Sequence, residues 1–200
     1  MGWKDVTTAT TERTTVLAAF PWSAVGHSVR VLFIEGGSVP PAVFIANLSS
    51  LSADYVVRQK LSYLHLTVEI LKQIPIIPPS VYEAADLSFI ISRVLELTYT
   101  SNSMGPFARD LGFDGPPFKW DEDRRALLRA ELDAWYARAY GLTRDELRYV
   151  LDPADVMEPG YPSETFRILK KNEIAKYGEY RTAKLVLQAW DRLQSGELTQ

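Results

Sequence analysis

VRVLFIEGGSVPPAVFIANLSSLSADYVVRQK, residues Val29–Lys60, changes its hydrophobic period half-way along. Val29–Glu35 is an apolar run rich in β-branching and reads as a strand, with Gly36-Gly37 as a hairpin turn after it. From Pro41 onward Val43, Ile45, Leu48, Leu51, Tyr55 and Val56 recur mostly three and four residues apart, the period of a helix. Pro41 suits a first helical turn, where its missing N–H is no loss. The chain thus passes from β to α inside this stretch, and the expected fold class is α+β.

Working outward, Val6–Thr10 and Thr14–Phe20 are further β-branched runs, punctuated by Pro21 and Gly26. Downstream, a short helix is expected over Leu66–Gln73, and IPIIPP then forces an extended exit. Beyond Ser80 the pattern is helical. Asp86–Tyr99 is apolar enough to face a core, and SMGPFARDLGFDGPPFKW reads as a loop. Asp121 caps a long helix to about Tyr140, with Leu127, Leu128, Leu132, Trp135 and Tyr136 on its apolar face. Thr143 and Glu146 make a capping box for a helix to Leu151. Ser163 starts a helix that Gly178 ends, and Tyr180–Leu193 supplies the last. Trp120, Trp135, Tyr136 and Trp190 read as core aromatics. These elements divide at Ser80 into a small β-rich domain with closing helices, 1–79, and a helical support region, 80–200.

The bulk numbers exclude several classes. With 46% hydrophobic and 24% charged residues the chain has the composition of a globular domain. It holds no cysteine, which removes disulfides, thiolate metal sites and cysteine nucleophiles together. No apolar run reaches the roughly 18 residues of a membrane span, and the N-terminus lacks the apolar core of a signal peptide; a cytoplasmic protein without membrane contact is expected. The net charge is −3, unevenly spread. Residues 1–80 carry six basic and five acidic side chains; the remainder carries sixteen basic and twenty acidic. Such a balance gives weak phosphate affinity, which grows with the number of phosphates neutralised.

Catalytic motifs are missing. There is no Gly-x-Gly-x-x-Gly, phosphate loop or Gly-x-Ser-x-Gly elbow. His27 and His65 are the only histidines, too few for a histidine metal cluster, and no Glu-x-Lys of a metal nuclease occurs. Asp121, Glu122 and Asp123 sit at a helix start, where capping and the helix dipole account for them. Gly115-Pro116-Pro117-Phe118 lacks the side-chain acceptor with which an Asn/Asp-Pro-Pro-aromatic loop holds a flipped adenine. We assign no catalytic residue, no metal and no cofactor to this chain.

Three stretches together resemble the C-terminal target-recognition region of Eco57I-like restriction-modification and phage-defence adenine-specific DNA methyltransferases. The first is Gly2-Trp3-Lys4-Asp5-Val6-Thr7 through Arg13-Thr14. The second is Asp54–Lys60, then His65-Leu66, Leu71–Pro75 and Pro78-Pro79. The third spans Pro106–Leu193. Coverage is nearly the whole chain, although Ser62-Tyr63-Leu64 stands where the family pattern carries glycines. The resemblance implies the specificity portion of such a methyltransferase, reading double-stranded DNA for a catalytic domain encoded upstream, in which S-adenosylmethionine would bind. Lys4, Thr11, Arg13, His27, Arg30, Lys60, Tyr63 and His65 are then the candidate DNA contacts. Arg13 and Arg30 suit guanine edges or phosphate, and Lys60, Tyr63 and His65 lie in a polar turn between helices. Lys170, Lys171, Arg181 and Lys184 read first as solvated helix faces. A protein–protein interaction module of a defence complex, without DNA contact, is the alternative that the acidic balance favours.

Overall fold

The computed structural model describes residues 1–161 and 165–198. Three short strands, β1 (Gly2–Lys4), β2 (Leu17–Ala18) and β3 (Val29–Val31), form an antiparallel sheet in the order β2-β1-β3. Helices follow: α1 (Val39–Ser49), α2 (Leu51–Lys60), α3 (Val68–Leu71), α4 (Ala84–Thr98), α5 (Gly105–Asp110), α6 (Glu122–Ala139), α7 (Arg144–Leu151), α8 (Pro153–Val156), α9 (Arg167–Tyr177) and α10 (Arg181–Ser195). The class is α+β. Among the described residues no helix is long and apolar enough to cross a membrane.

The central strand is Gly2–Lys4, not the expected Val6–Thr10. Gly2 permits it, because a Cβ there would run into the Arg30 carbonyl on β3. Past Val6 the threonines turn the chain instead of extending it. The Thr11 hydroxyl donates to the Thr8 carbonyl at 2.8 Å and the Thr10 amide donates to the Thr8 hydroxyl at 3.2 Å, local bonds that compete with strand pairing. Gly36 and Gly37 do not turn a hairpin either. Both have left-handed φ angles, 98° and 82°, and they join β3 to α1.

The helical period from Pro41 is realised as two helices. Ser50 divides them: its backbone is extended, and its hydroxyl accepts from Ala53 N at 3.3 Å to cap α2. Asp133 of α6 reinforces the break, accepting from Leu51 N at 2.7 Å. Helix α1 is apolar all round, as a helix covered on both sides must be. Ile45 and Leu48 join Trp3, Leu17, Val57 and Leu66 in a core beneath the sheet. Ala42, Val43 and Ala46 join Phe89, Ile90 and Val94 in the larger core of α4, α6, α7, α9 and α10. The larger core therefore runs across Ser80. Buried Asn47 of α1 fixes the proline-rich exit, accepting from Ile77 N at 2.9 Å and donating to the Tyr140 hydroxyl at 2.6 Å, which in turn donates to the Pro75 carbonyl.

One ion pair fastens the N-terminal loop to this frame. On α2, Asp54 and Arg58 lie one turn apart, both buried, with Nε at 3.2 Å from Oδ1. The Arg58 guanidinium donates to the carbonyls of Ala9, Thr165, Thr11 and Glu12 at 2.8 to 3.0 Å, and Asp54 accepts from Thr14 N.

The N-cap at Asp121 and the capping box at Thr143 are where the sequence places them. Gly178 ends α9 in the left-handed region, while Ser163 lies outside the described residues. Two expectations on α6 and its approach fail. Leu127 is exposed, and Trp120 is 65% exposed, its ring lying under the Arg125 guanidinium at 3.6 Å. The stretch 103–120, expected as a loop, contains α5 and a cluster in which Tyr99 meets Phe113 and Phe118 edge-on.

Candidate nucleic-acid interface

The sheet register sorts the candidate contacts. Trp3 faces inward, with its indole N–H donating to the Leu66 carbonyl at 2.8 Å. Arg30 stands opposite Trp3 on β3, so it shares that face, and Asp5, two residues on from Trp3, falls on it too. Lys4 pairs with Val29 and points to the other face.

Asp5 organises the cluster. Its side chain is 3% exposed, and Oδ2 accepts from Arg30 Nη2 at 3.0 Å and lies 3.1 Å from His65 Nδ1. Burial by itself would push this carboxyl up; the bonds and charges of Arg30 and His65 outweigh it and hold Asp5 below the ordinary carboxylate value. Arg30 and His65 each remain about half exposed, at 51% and 53%. A buried acid thus orients one half-exposed guanidinium and one half-exposed imidazole.

The turn 61–67 reaches this point by backbone pairing. Val6 and His65 form an antiparallel bridge, Thr7 N donates to the Leu64 carbonyl at 2.9 Å, and Leu66 N donates to the Asp5 carbonyl at 2.8 Å. That clip leaves Tyr63 82% exposed beside an exposed Leu64, with exposed Lys60 at the end of α2. His27, also exposed, precedes Ser28, whose carbonyl accepts from Asp5 N at 2.8 Å. Arg30, His65, Tyr63 and His27 are therefore brought to the Asp5 end of β1.

Arg13 and Thr11 lie elsewhere, in the loop pinned by Arg58. The Arg13 guanidinium bonds to Asp133 at 2.9 Å and to the Ser49 carbonyl at 3.1 Å. The Thr11 hydroxyl donates to the carbonyls of Thr8 and Arg13. Three of the four basic residues read as helix faces pair with acids: Lys170 with Asp152, Arg181 with Asp123, Lys184 with Glu179. At the opposite, Met1 end of the sheet, Trp22 is 92% exposed and its ring lies 5.7 Å from that of exposed Phe33.

Asp5 is the residue that sequence reasoning overlooked as an organiser. The one signal for it is alternation with Trp3 at the end of a strand, and a lone acid there gives no hint of its partners. Among the described residues no three His, Asp or Glu side chains converge to hold a metal. β3, the Gly36-Gly37 turn and α1 follow one another, but the described sheet is wholly antiparallel and lacks the parallel strand that completes a βαβ nucleotide-binding unit, so it does not fit S-adenosylmethionine. No family model matches the chain, and no curated protein or solved structure is significantly similar to it.

Proposed function

We propose that this chain is a DNA target-recognition module of an adenine-specific DNA methyltransferase of a restriction-modification or defence system, acting with a catalytic domain that binds S-adenosylmethionine. The observation that carries this reading is the Asp5 cluster. A buried carboxylate that fixes Arg30 and His65 while leaving both half exposed is the arrangement that base-edge or phosphate recognition needs, because polar groups held in advance lose less entropy on binding. Tyr63, Lys60 and His27 flank it as secondary contacts. Their small number of positive charges, within a net −3 chain, makes the binding weak and salt-sensitive.

Fluorescence anisotropy with a labelled duplex, at salt from 50 to 200 mM, tests this. Saturable binding that weakens with salt is expected, with a loss of about tenfold in Arg30→Ala, the order of one good base contact. No binding at the lowest salt, or equal binding by the variant, overturns it.

The exposed Trp22–Phe33 pair favours a second reading, a protein-interaction module. In that case Trp22→Ala removes partner binding and Arg30→Ala leaves it intact.

A further inference from the structure

A separate cavity of about 270 Å³ opens between β2, the C-terminal ends of α1 and α4, and α6. Its walls are mainly apolar, with Leu17, Ile45, Val94, Leu97 and Leu132 prominent. Its charges are lopsided. Arg13, Arg125 and Arg129 line it against a single acid, Asp133, which Arg13 already engages. We propose that this cavity binds a small organic anion, with a carboxylate or phosphate head on Arg125 and Arg129 and a short apolar body along Ile45, Val94 and Leu97.

Two observations carry the assignment beyond the shape. Among the described residues Arg125 has no carboxylate partner; its Nη1 donates to the Leu97 carbonyl at 3.0 Å, and its buried Nε has no acceptor. Thr15, another lining residue, is buried and its hydroxyl is likewise unpartnered. Buried donors are nearly always satisfied, so these two leave the packing around the cavity short of an acceptor. Arg129 reaches only Glu122 at 3.2 Å, a pair half exposed on both sides and hence weak. Burial first, and then the neighbouring Arg129, hold Arg125 below the ordinary guanidinium value, so the two cations repel across the cavity. An anion between them removes that repulsion. The guanidinium fork takes carboxylate or phosphate alike, while the apolar wall demands a hydrocarbon portion.

Isothermal titration calorimetry of the full chain with hexanoate, hexanol, acetate and inorganic phosphate separates these requirements. Hexanoate is expected to bind saturably, at least tenfold tighter than each of the other three. Arg125→Met is expected to weaken hexanoate at least tenfold without changing hexanol. Arg125 also closes the end of α4, so Arg129→Met, at a half-exposed position, is the second variant and is expected to give a several-fold loss. The proposal is overturned if hexanoate does not saturate, if hexanol matches it, or if Arg129→Met binds hexanoate as the unmodified chain does. None of these readings depends on DNA, so they stand or fall apart from the recognition role.

Discussion

Two aspartate–arginine pairs hold the N-terminal third together, and they spend their arginines in opposite ways. Asp54–Arg58 is sealed: every Arg58 donor direction ends on Asp54 or on a main-chain carbonyl, and the guanidinium lies over the Phe166 ring at 4.6 Å. Asp5–Arg30 buries only its acid, and Arg30 faces solvent alongside His65. The contrast separates a guanidinium used as mortar from one held out in solvent, where the proposed role as a reader needs it. Charge type does not distinguish them. The number of carbonyls converging on the head group does.

The sealed pair carries the largest expected effect. Arg58→Met leaves Asp54 charged, buried and short of its partner, and strands four carbonyls. Removing one half of a buried pair costs about 3–5 kcal/mol. Urea unfolding monitored by circular dichroism should show that loss, and Arg58→Lys should recover little of it, because one ammonium cannot reproduce the planar fork. A cost below about 1 kcal/mol, the scale of an exposed pair, would break the distinction between the two pairs.

Arg13 sits between the extremes, and its variant sharpens the comparison. It belongs with the sealed group, since Asp133 binds both its guanidinium and the first amide of α2. Arg13→Ala should cost about 1–3 kcal/mol, the range for leaving a buried polar partner unsatisfied. In the anisotropy assay it should leave DNA affinity unchanged at temperatures where the variant is folded. A loss of affinity without a loss of stability would move Arg13 to the presenting group.

The presenting pair has a pH signature. Asp5 titrates below its ordinary value near 3.8 when folded, so the folded state favours the ionised carboxylate. Its stabilisation is complete above the unfolded value and disappears as pH falls through the folded one. Comparing Asp5→Asn with the unmodified chain, the difference in urea midpoint should be full at pH 6 and shrink steadily below about pH 4. A difference that is flat down to pH 3 would mean that the carboxylate charge plays no part in holding Arg30 and His65.

How far this was legible in the sequence follows the same division. The helices with caps, Asp121 and Thr143, stand where their residues put them, because a cap is a local bond between neighbours. The break at Ser50 was hidden, since the apolar period runs straight through it and the decisive acceptor, Asp133, is far away along the chain. Val6–Thr10 misled because β-branching favours strands only where a partner strand exists, and threonine hydroxyls offered the backbone local bonds instead. Asp54 and Arg58 carry an i, i+4 signal on α2, which reads as an ordinary surface pair until the carbonyls of Ala9, Thr11 and Glu12 are in view. Arg30 and His65 stand in the sequence as separate candidates. Their meeting at Asp5 depends on strand register and on the Val6–His65 bridge, which no spacing in the sequence encodes.

The smallest stability effect is expected at Arg30 itself, and it discriminates most sharply between mortar and reader. Half of the Arg30 side chain is in solvent, so the ion pair is screened and contributes little. Asp5 keeps His65 as a neighbour when Arg30 is removed. Arg30→Ala should therefore shift unfolding free energy by about 1 kcal/mol or less, the scale of an exposed pair. A double-mutant cycle with Asp5→Asn isolates the pair, and a coupling of at most about 1 kcal/mol is expected. If the coupling instead approaches that of a sealed pair, Arg30 is structural, and the case for its reading DNA loses its physical basis. A small coupling together with a large loss of DNA affinity is the outcome that the geometry of Asp5 favours, because a presented donor does its work on the ligand and not on the fold.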